Sequence, residues 1–251
     1  MSNGTKRNAR HLAPATLLLL GIIGTLGAQQ AHGQVASEME TLNAWKANAK
    51  TTNLGNQLIG WLDVNNRAIA FNSSDKSALY RRGYLYGTVG CTQSAINDLS
   101  RAIGLDPNFA AAYTERGQCY LDKKEYDRAL FDLNRAVQLN PRSGDAVLAR
   151  GRVWLAMGKP HSALADLRLA QQSNMRYAPC LPGEFPGNNY DAASYYIGSC
   201  YEAMERPDDA VKYYKASMSK QPVGQVGFLH RYADQPLDTK WRVSSLERYG
   251  Y

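Results

Sequence analysis

The chain has 251 residues, enough for one or two domains, and a hydrophobic content of 44% excludes wholesale disorder. Lys and Arg number 29 against 22 Asp and Glu, but three of the basic residues and none of the acidic ones fall in the first 33 positions, leaving 26 against 22, a net +4. A balance that modest does not predict nucleic-acid binding by itself.

Residues 1–33 differ from the rest. Lys6, Arg7 and Arg10 precede an apolar run from Leu12 to Ala28, and Ala31-His32-Gly33 follows it. Basic, apolar and small-residue regions in that order predict a secretory signal peptide cut before Gln34, with the product periplasmic or secreted. The alternative is an uncleaved anchor, for which seventeen residues interrupted by Pro14 fall short of the ~20 that span a bilayer. No stable membrane insertion is expected after cleavage. No cysteine follows the apolar run, which argues against a lipoprotein.

Residues 34–55 are polar and read as a linker or a first helix. Residues 56–75 read as half of a repeat whose full form follows. Arg67-Ala68-Ile69 recurs as Arg101-Ala102-Ile103 and Arg135-Ala136-Val137, 34 residues apart each time. Such a degenerate unit is expected to cover the open end of a stack. Asn72-Ser73-Ser74 has the form of a glycosylation sequon and is read as a loop.

Four full units are predicted over 76–222. The clearest runs from Ala110 to Pro141. Its Tyr120, Ala129, Leu133, Ala136 and Pro141 match Tyr86, Ala95, Leu99, Ala102 and Pro107 earlier, and Trp154, Ala163, Leu167, Ala170 and Met175 later, at a period of 34. A fixed period of this size, with helical spacing inside each unit, marks a solenoid of helix pairs. An insertion over 175–190, rich in Pro, Gly and Asn, sets the fourth unit 47 residues after the third. The tail, 223–251, has no clear period, and Leu237 and Trp241 are candidates for a closing helix.

Counting slots from Lys76, Ala110, Gly144 and Asp191, slot 8 holds Gly83, Gly117, Gly151 and Gly198; slot 11 holds Tyr86, Tyr120, Trp154 and Tyr201; slot 20 holds Ala95, Ala129, Ala163 and Ala210. On these residues the units resemble tetratricopeptide repeats (TPR) over about 150 residues. The departures are Met175 for the closing proline, Ser217 for an alanine and Ser194 for a large residue. The resemblance implies an all-α, right-handed superhelical solenoid of antiparallel helix pairs. A helical glycine costs about 1 kcal/mol relative to alanine, so four at one slot imply close approach of two helices. The slot-11 aromatics and the slot-24 residues Leu99, Leu133, Leu167 and Tyr214 would fill the space around that crossing.

Slot 7 holds Arg82, Arg116 and Arg150, and slot 23 holds Asp98, Asp132 and Asp166. In the fourth unit both change together, to Ile197 and Tyr213. The covariation predicts an Arg–Asp salt bridge inside each of three pairs and an apolar contact in the fourth. The functional alternative is a row of arginines gripping an anionic ligand. Four cysteines in an oxidising compartment permit disulfides, with Cys91–Cys119 and Cys180–Cys200 as the preferred pairing and four buried thiols as the alternative.

No catalytic set stands out. Beyond the leader the histidines are His161 and His230, far apart and without a motif around either. There is no nucleophile elbow, phosphate-binding glycine loop or Cys-x-x-Cys, so no enzyme activity, cofactor or metal is expected. The TPR resemblance implies instead that the first helices line a concave groove, read by slots 2, 5, 9 and 12. The candidate peptide-binding residues are Tyr80, Tyr84, Thr114, Gln118, Leu148, Arg152, Tyr195 and Ser199. The family's Lys/Asn clamp for a C-terminal carboxylate is missing, so chaperone-tail binding does not carry over. The expected function is an exported interaction module that binds a peptide or protein partner, with no nucleic acid; the sequence leaves the oligomeric state open. The alternative is a structural scaffold subunit of a cell-envelope assembly, such as a secretion, pilus or cell-wall complex.

Overall fold

Apolar residues at i, i+4 and i+7, such as Ala129, Leu133 and Ala136, give each second helix one stripe to bury, and only a neighbouring helix can cover it. A computed structural model describes residues 37–47, 49–50, 53–173, 189–218 and 242–247, which are helical apart from short turns. The helices are α1 (37–47), α2 (Asn53–Phe71), α3 (Lys76–Thr88), α4 (Thr92–Leu105), α5 (Ala110–Asp122), α6 (Tyr126–Leu139), α7 (Gly144–Ala156), α8 (Pro160–Gln172), α9 (Asn189–Ala203), α10 (Pro207–Met218) and α11 (242–247). The proposed signal peptide lies outside the described residues. So do the insertion up to 188 and the tail apart from 242–247, including Leu237 and Trp241. Residues 189 and 190 open α9.

Consecutive helices pair as α3–α4, α5–α6, α7–α8 and α9–α10, and each pair packs on the next. Successive first helices also touch one another (α3 with α5, α5 with α7, α7 with α9). That arrangement puts the first helices on the inner side of the stack.

Each pair turns through one left-handed residue at slot 15: Gly90 (φ 87°), Lys124 (φ 60°), Gly158 (φ 70°) and Glu205 (φ 57°). The residue after it returns its N–H to the slot-11 carbonyl, as from Cys91 to Tyr86 and from Glu125 to Tyr120, both at 2.9 Å. This 6→1 bond closes the first helix and aims the chain into the second.

The crossing of each pair is tight. A Cβ built on Gly117 would stand 2.7 Å from Leu133 Cγ and 3.3 Å from the Ala129 carbonyl oxygen. At Gly198 the obstacle is an aromatic ring, with Tyr214 Cδ1 and Cε1 both at 2.7 Å. Ala129, Leu133, Ala136, Ala163, Leu167 and Tyr214 are all 0% exposed.

The slot-7 arginines make fork-to-fork pairs with the slot-23 aspartates. Arg82 donates to Asp98 at 2.6 and 2.8 Å, Arg116 to Asp132 at 2.7 and 2.8 Å, and Arg150 to Asp166 at 2.8 and 2.7 Å. Each arginine extends a further N–H to the preceding pair: Arg82 to Asn66, Arg116 to Ser100 and Arg150 to Asn134, all at 3.0 Å. One guanidinium thus ties three helices together. In the fourth pair Ile197 is fully buried, and Tyr213 packs against the same cluster, stacked on Tyr201 at 5.4 Å.

Both ends of the stack are covered. At the first, Glu38 of α1 accepts from the backbone N–H of Gln93 (2.6 Å) and Ser94 (3.0 Å) and from the Ser94 hydroxyl (2.6 Å). It therefore caps the N-terminus of α4, whose own N-cap residue, Cys91, makes no side-chain cap bond. Leu42 and Trp45 bury against Leu58, Leu85 and Val89 beneath it. Removing the carboxylate with Glu38→Ala is expected to cost about 1–2 kcal/mol, the range for a helix cap with a favourable charge. Amide exchange at Gln93 and Ser94 should quicken together with exchange across α1; unchanged protection of α1 would mean that Glu38 does not hold it in place.

Candidate functional site

The inner face is built by α3, α5, α7 and α9, and its chemistry changes along the stack. At the first end, Tyr80 and Tyr84 are half-buried, with ring centroids 6.5 Å apart, and Tyr80 lies 5.0 Å from the ring of Phe109. In the middle, Gln118 accepts from Arg152 and donates to Glu115, both at 3.4 Å. The Arg152 guanidinium sits 5.3 Å from the centre of the Tyr196 ring, at cation–π range. At the far end, Tyr195 meets Tyr196 edge-on at 5.1 Å and Tyr214 at 5.6 Å. The row runs from aromatic, through a polar centre carrying both charges, to aromatic again.

The eight sequence candidates do not share one environment. Tyr80, Tyr84, Arg152 and Ser199 are half-buried, whereas Thr114, Gln118, Leu148 and Tyr195 are buried. Thr114 donates its hydroxyl to the Ala110 carbonyl of its own helix at 3.1 Å. Leu148 belongs to the cluster that joins the third and fourth pairs. Ser199 donates to the Tyr195 carbonyl at 3.3 Å, and its oxygen lies 3.1 Å from the Tyr214 hydroxyl. The slot pattern missed Glu115, Tyr196 and Phe109. Glu115 and Tyr196 occupy slot 6, one turn before slot 9, so helical neighbourhood could have found them.

A second polar group sits at the fourth pair. The Tyr214 hydroxyl donates to Glu202 at 2.6 Å, and Arg242 of α11 donates to the same carboxylate. Burial first, and then the bond to Glu202, hold the Tyr214 phenol well above its ordinary pKa, so it stays a neutral donor.

The cysteine expectation needs correction. Cys91 and Cys119 are buried thiols rather than a disulfide, and they belong to separate clusters. Cys91 packs beneath α1 with Leu85 and Val89, while Cys119 packs with Ala95, Leu99 and Ala102, so their side chains do not converge as a disulfide requires. Cys200 is likewise a buried thiol; its proposed partner, Cys180, lies outside the described residues. Burial and then the Glu38 charge push the Cys91 thiol up to about 11, and burial pushes Cys200 up to about 12, which leaves both unreactive at neutral pH. Among the described residues no group of three His, Cys, Asp or Glu side chains is placed to hold a metal, and no helix is long and apolar enough to cross a membrane.

Three stretches match the tetratricopeptide repeat: residues 77–109, 110–143 and 192–222. No curated protein matches the chain. A thermophilic TPR protein of Thermus thermophilus superposes with a TM-score of 0.58 at 19% identity, covering 84% of this chain and 99% of that one. MamA superposes with a TM-score of 0.51 at 23% identity, covering 68% of this chain and 92% of that one. At such identities the likeness speaks for the fold. The repeated slots, the paired helices and these matches agree: the chain carries tetratricopeptide repeats, folded as an all-α solenoid of antiparallel helix pairs.

Proposed function

We propose that the chain is an exported protein-interaction module whose concave face takes a peptide or protein partner. The observation that carries this reading is the graded row on successive first helices, from Tyr80 and Tyr84 through Gln118 and Arg152 to Tyr196. Tyr and Arg are the side chains that most often anchor an interface, because each offers large apolar contact together with a polar end. Their rings and guanidinium are already packed on neighbours, which lowers the entropy lost when a partner binds. Export rests on the order of basic, apolar and small residues in 1–33.

The test is capture from the native envelope fraction by the chain beginning at Gln34, compared with its Tyr84→Ala/Arg152→Ala variant. Removing two anchors is expected to weaken capture by about 10- to 100-fold while the helical circular-dichroism signal and melting stay close to those of the parent. Undiminished capture by the folded double variant would overturn the concave reading. The scaffold alternative has its own observation: Phe71 and Phe131 are 95% and 72% exposed on second helices, away from the inner row. A Phe131→Ser variant that alone lost capture would favour it. The mass of the chain recovered outside the cytoplasm tests export, with a start at Gln34 expected and a start at Met1 against it.

A further inference from the structure

The six residues of α11 lie against the last helix pair through contacts of three kinds. Arg242 pairs with Glu202 of α9 and reaches the Tyr214 hydroxyl at 3.4 Å. Val243 is buried in the cluster that holds Ile197, Tyr201 and Tyr214, and Leu246 packs against its edge. Glu247 pairs with Lys215 of α10 at 2.6 Å. Lys215 occupies slot 25. In the preceding pair the slot-25 residue, Arg168, reaches Tyr201 on the next first helix at 2.9 Å. A residue at slot 25 therefore faces the following first helix, and α11 lies where the first helix of a fifth pair would.

Its hold is weak on physical grounds. The six described residues are too few to be helical alone. Among the described residues its apolar anchor is one buried valine and part of a leucine. The two ion pairs are open to solvent, with side chains 29% and 36% exposed for Arg242 and Glu202 and 54% and 47% for Lys215 and Glu247, so salt screens them. Covalent attachment compensates by keeping the segment near its site at an effective concentration on the order of millimolar.

We propose that the far end of the α9–α10 pair is a docking site for a short helical segment of the pattern Arg-Val-x-x-Leu-Glu, and that residues 242–247 are its resident intramolecular ligand. The site has a carboxylate (Glu202) for the arginine, an apolar bed beside Tyr214 for the valine and leucine, and an ammonium (Lys215) for the glutamate. When α11 leaves, Glu202 and the Tyr214 hydroxyl become accessible at the end of the inner face. The inference rests on the interaction-module reading only for what takes the place of α11; the docking itself is independent of it.

The experiment uses the full chain from Gln34, its Arg242→Glu/Val243→Asp variant, and a fluorescent synthetic peptide of residues 238–251. The double variant sets a carboxylate against Glu202 and removes the apolar anchor, so its own α11 is undocked. The peptide is expected to bind the variant in trans at least tenfold more tightly than it binds the parent, whose site is occupied, and to weaken as salt rises. A peptide with glutamate in place of the arginine should lose that binding and regain it on a chain that also carries Glu202→Arg. Equal binding to parent and variant, or no binding to a variant whose 242–247 amides exchange freely, overturns the proposal. Exchange of those amides in the parent only at the rate of global unfolding overturns it too, since α11 would then be a fixed part of the fold. None of these readouts involves Tyr84, Arg152 or an outside partner, so failure here leaves the concave reading untouched.

Discussion

Arg116→Leu is expected to destabilise the second helix pair by about 3–5 kcal/mol, because it leaves Asp132 charged and buried without its partner. The Asp132 side chain is 1% exposed, and both of its oxygens accept from Arg116. Burial opposes the charge on Arg116, and the hydrogen bonds and charge of Asp132 outweigh it, holding the guanidinium pKa above its ordinary value. The same change at Arg150 should cost less, since Asp166 is 11% exposed and water can take up part of the loss. Arg116→Leu/Asp132→Leu should recover most of the stability, as replacing a buried pair with apolar groups is often close to neutral. The fourth pair already shows an apolar solution, with Ile197 and Tyr213 in these slots. Urea unfolding combined with amide exchange in α5 and α6 reads the effect, because a repeat array can open one pair before the rest. A cost for Arg116→Leu below about 1 kcal/mol would show that the charge relaxes to solvent and that the pair is not a structural tie.

The second large effect is expected at Gly198. Alanine there gains about 1 kcal/mol of helix propensity, yet its Cβ would meet three atoms of the Tyr214 ring at 2.7, 2.7 and 3.1 Å. That ring is fully buried, with its hydroxyl bonded to Glu202, so it cannot swing aside as a flexible chain end could. Overpacking of this kind costs about 1–3 kcal/mol and here also pulls on the Glu202–Arg242 contact. A net loss of up to about 2 kcal/mol follows, together with faster exchange in α11. Gly60→Ala has the opposite expected sign. It lies inside α2 with nothing within 4 Å of the added Cβ, so the propensity gain of up to about 1 kcal/mol should appear unopposed. Two glycine-to-alanine changes that shifted the melting temperature the same way would contradict the close-approach account.

Much of the fold is legible in the sequence because the forces behind it act locally and recur. A glycine that must admit a leucine, and an alanine that lets two helices meet, leave the same mark every 34 residues in the first three units and again, after the insertion, in the fourth, where the glycine admits a ring. The Arg–Asp ties are legible for the same reason, since both members sit 16 residues apart in three units and change together in the fourth. What escapes is chemistry without a repeat. Glu38 caps a helix some 55 residues later, and no spacing rule links a lone glutamate to Gln93 and Ser94. Lys124 and Glu205 adopt the left-handed conformation that Gly90 and Gly158 hold in the other turns, and neither residue type announces it. The candidate site falls between these cases. Slot counting reaches the inner helices, but slots 5 and 9 also face neighbouring helices, which is why Thr114, Leu148 and Tyr195 at slot 5 and Gln118 at slot 9 are buried. The Cys91–Cys119 expectation failed because cysteine number and compartment say nothing of direction, and the two side chains point into different clusters.

The third contact of each slot-7 arginine bears on how the chain can be shuffled. Asn66, Ser100 and Asn134, which receive it, all stand 16 residues earlier, at slot 25 of the preceding unit. A unit with this arginine fits any predecessor that offers a neutral acceptor there, so the first two units, which have both the arginine and the acceptor, could be exchanged, duplicated or deleted in whole steps. The third unit breaks the sequence of acceptors, because its slot 25 is Arg168, engaged with Tyr201. An arginine at position 197 would face that charge, and the residue 16 positions before it is Leu181 of the insertion. Extra length therefore enters the array at the junction where no such tie would be cut, and the third and fourth units stand outside the interchangeable set.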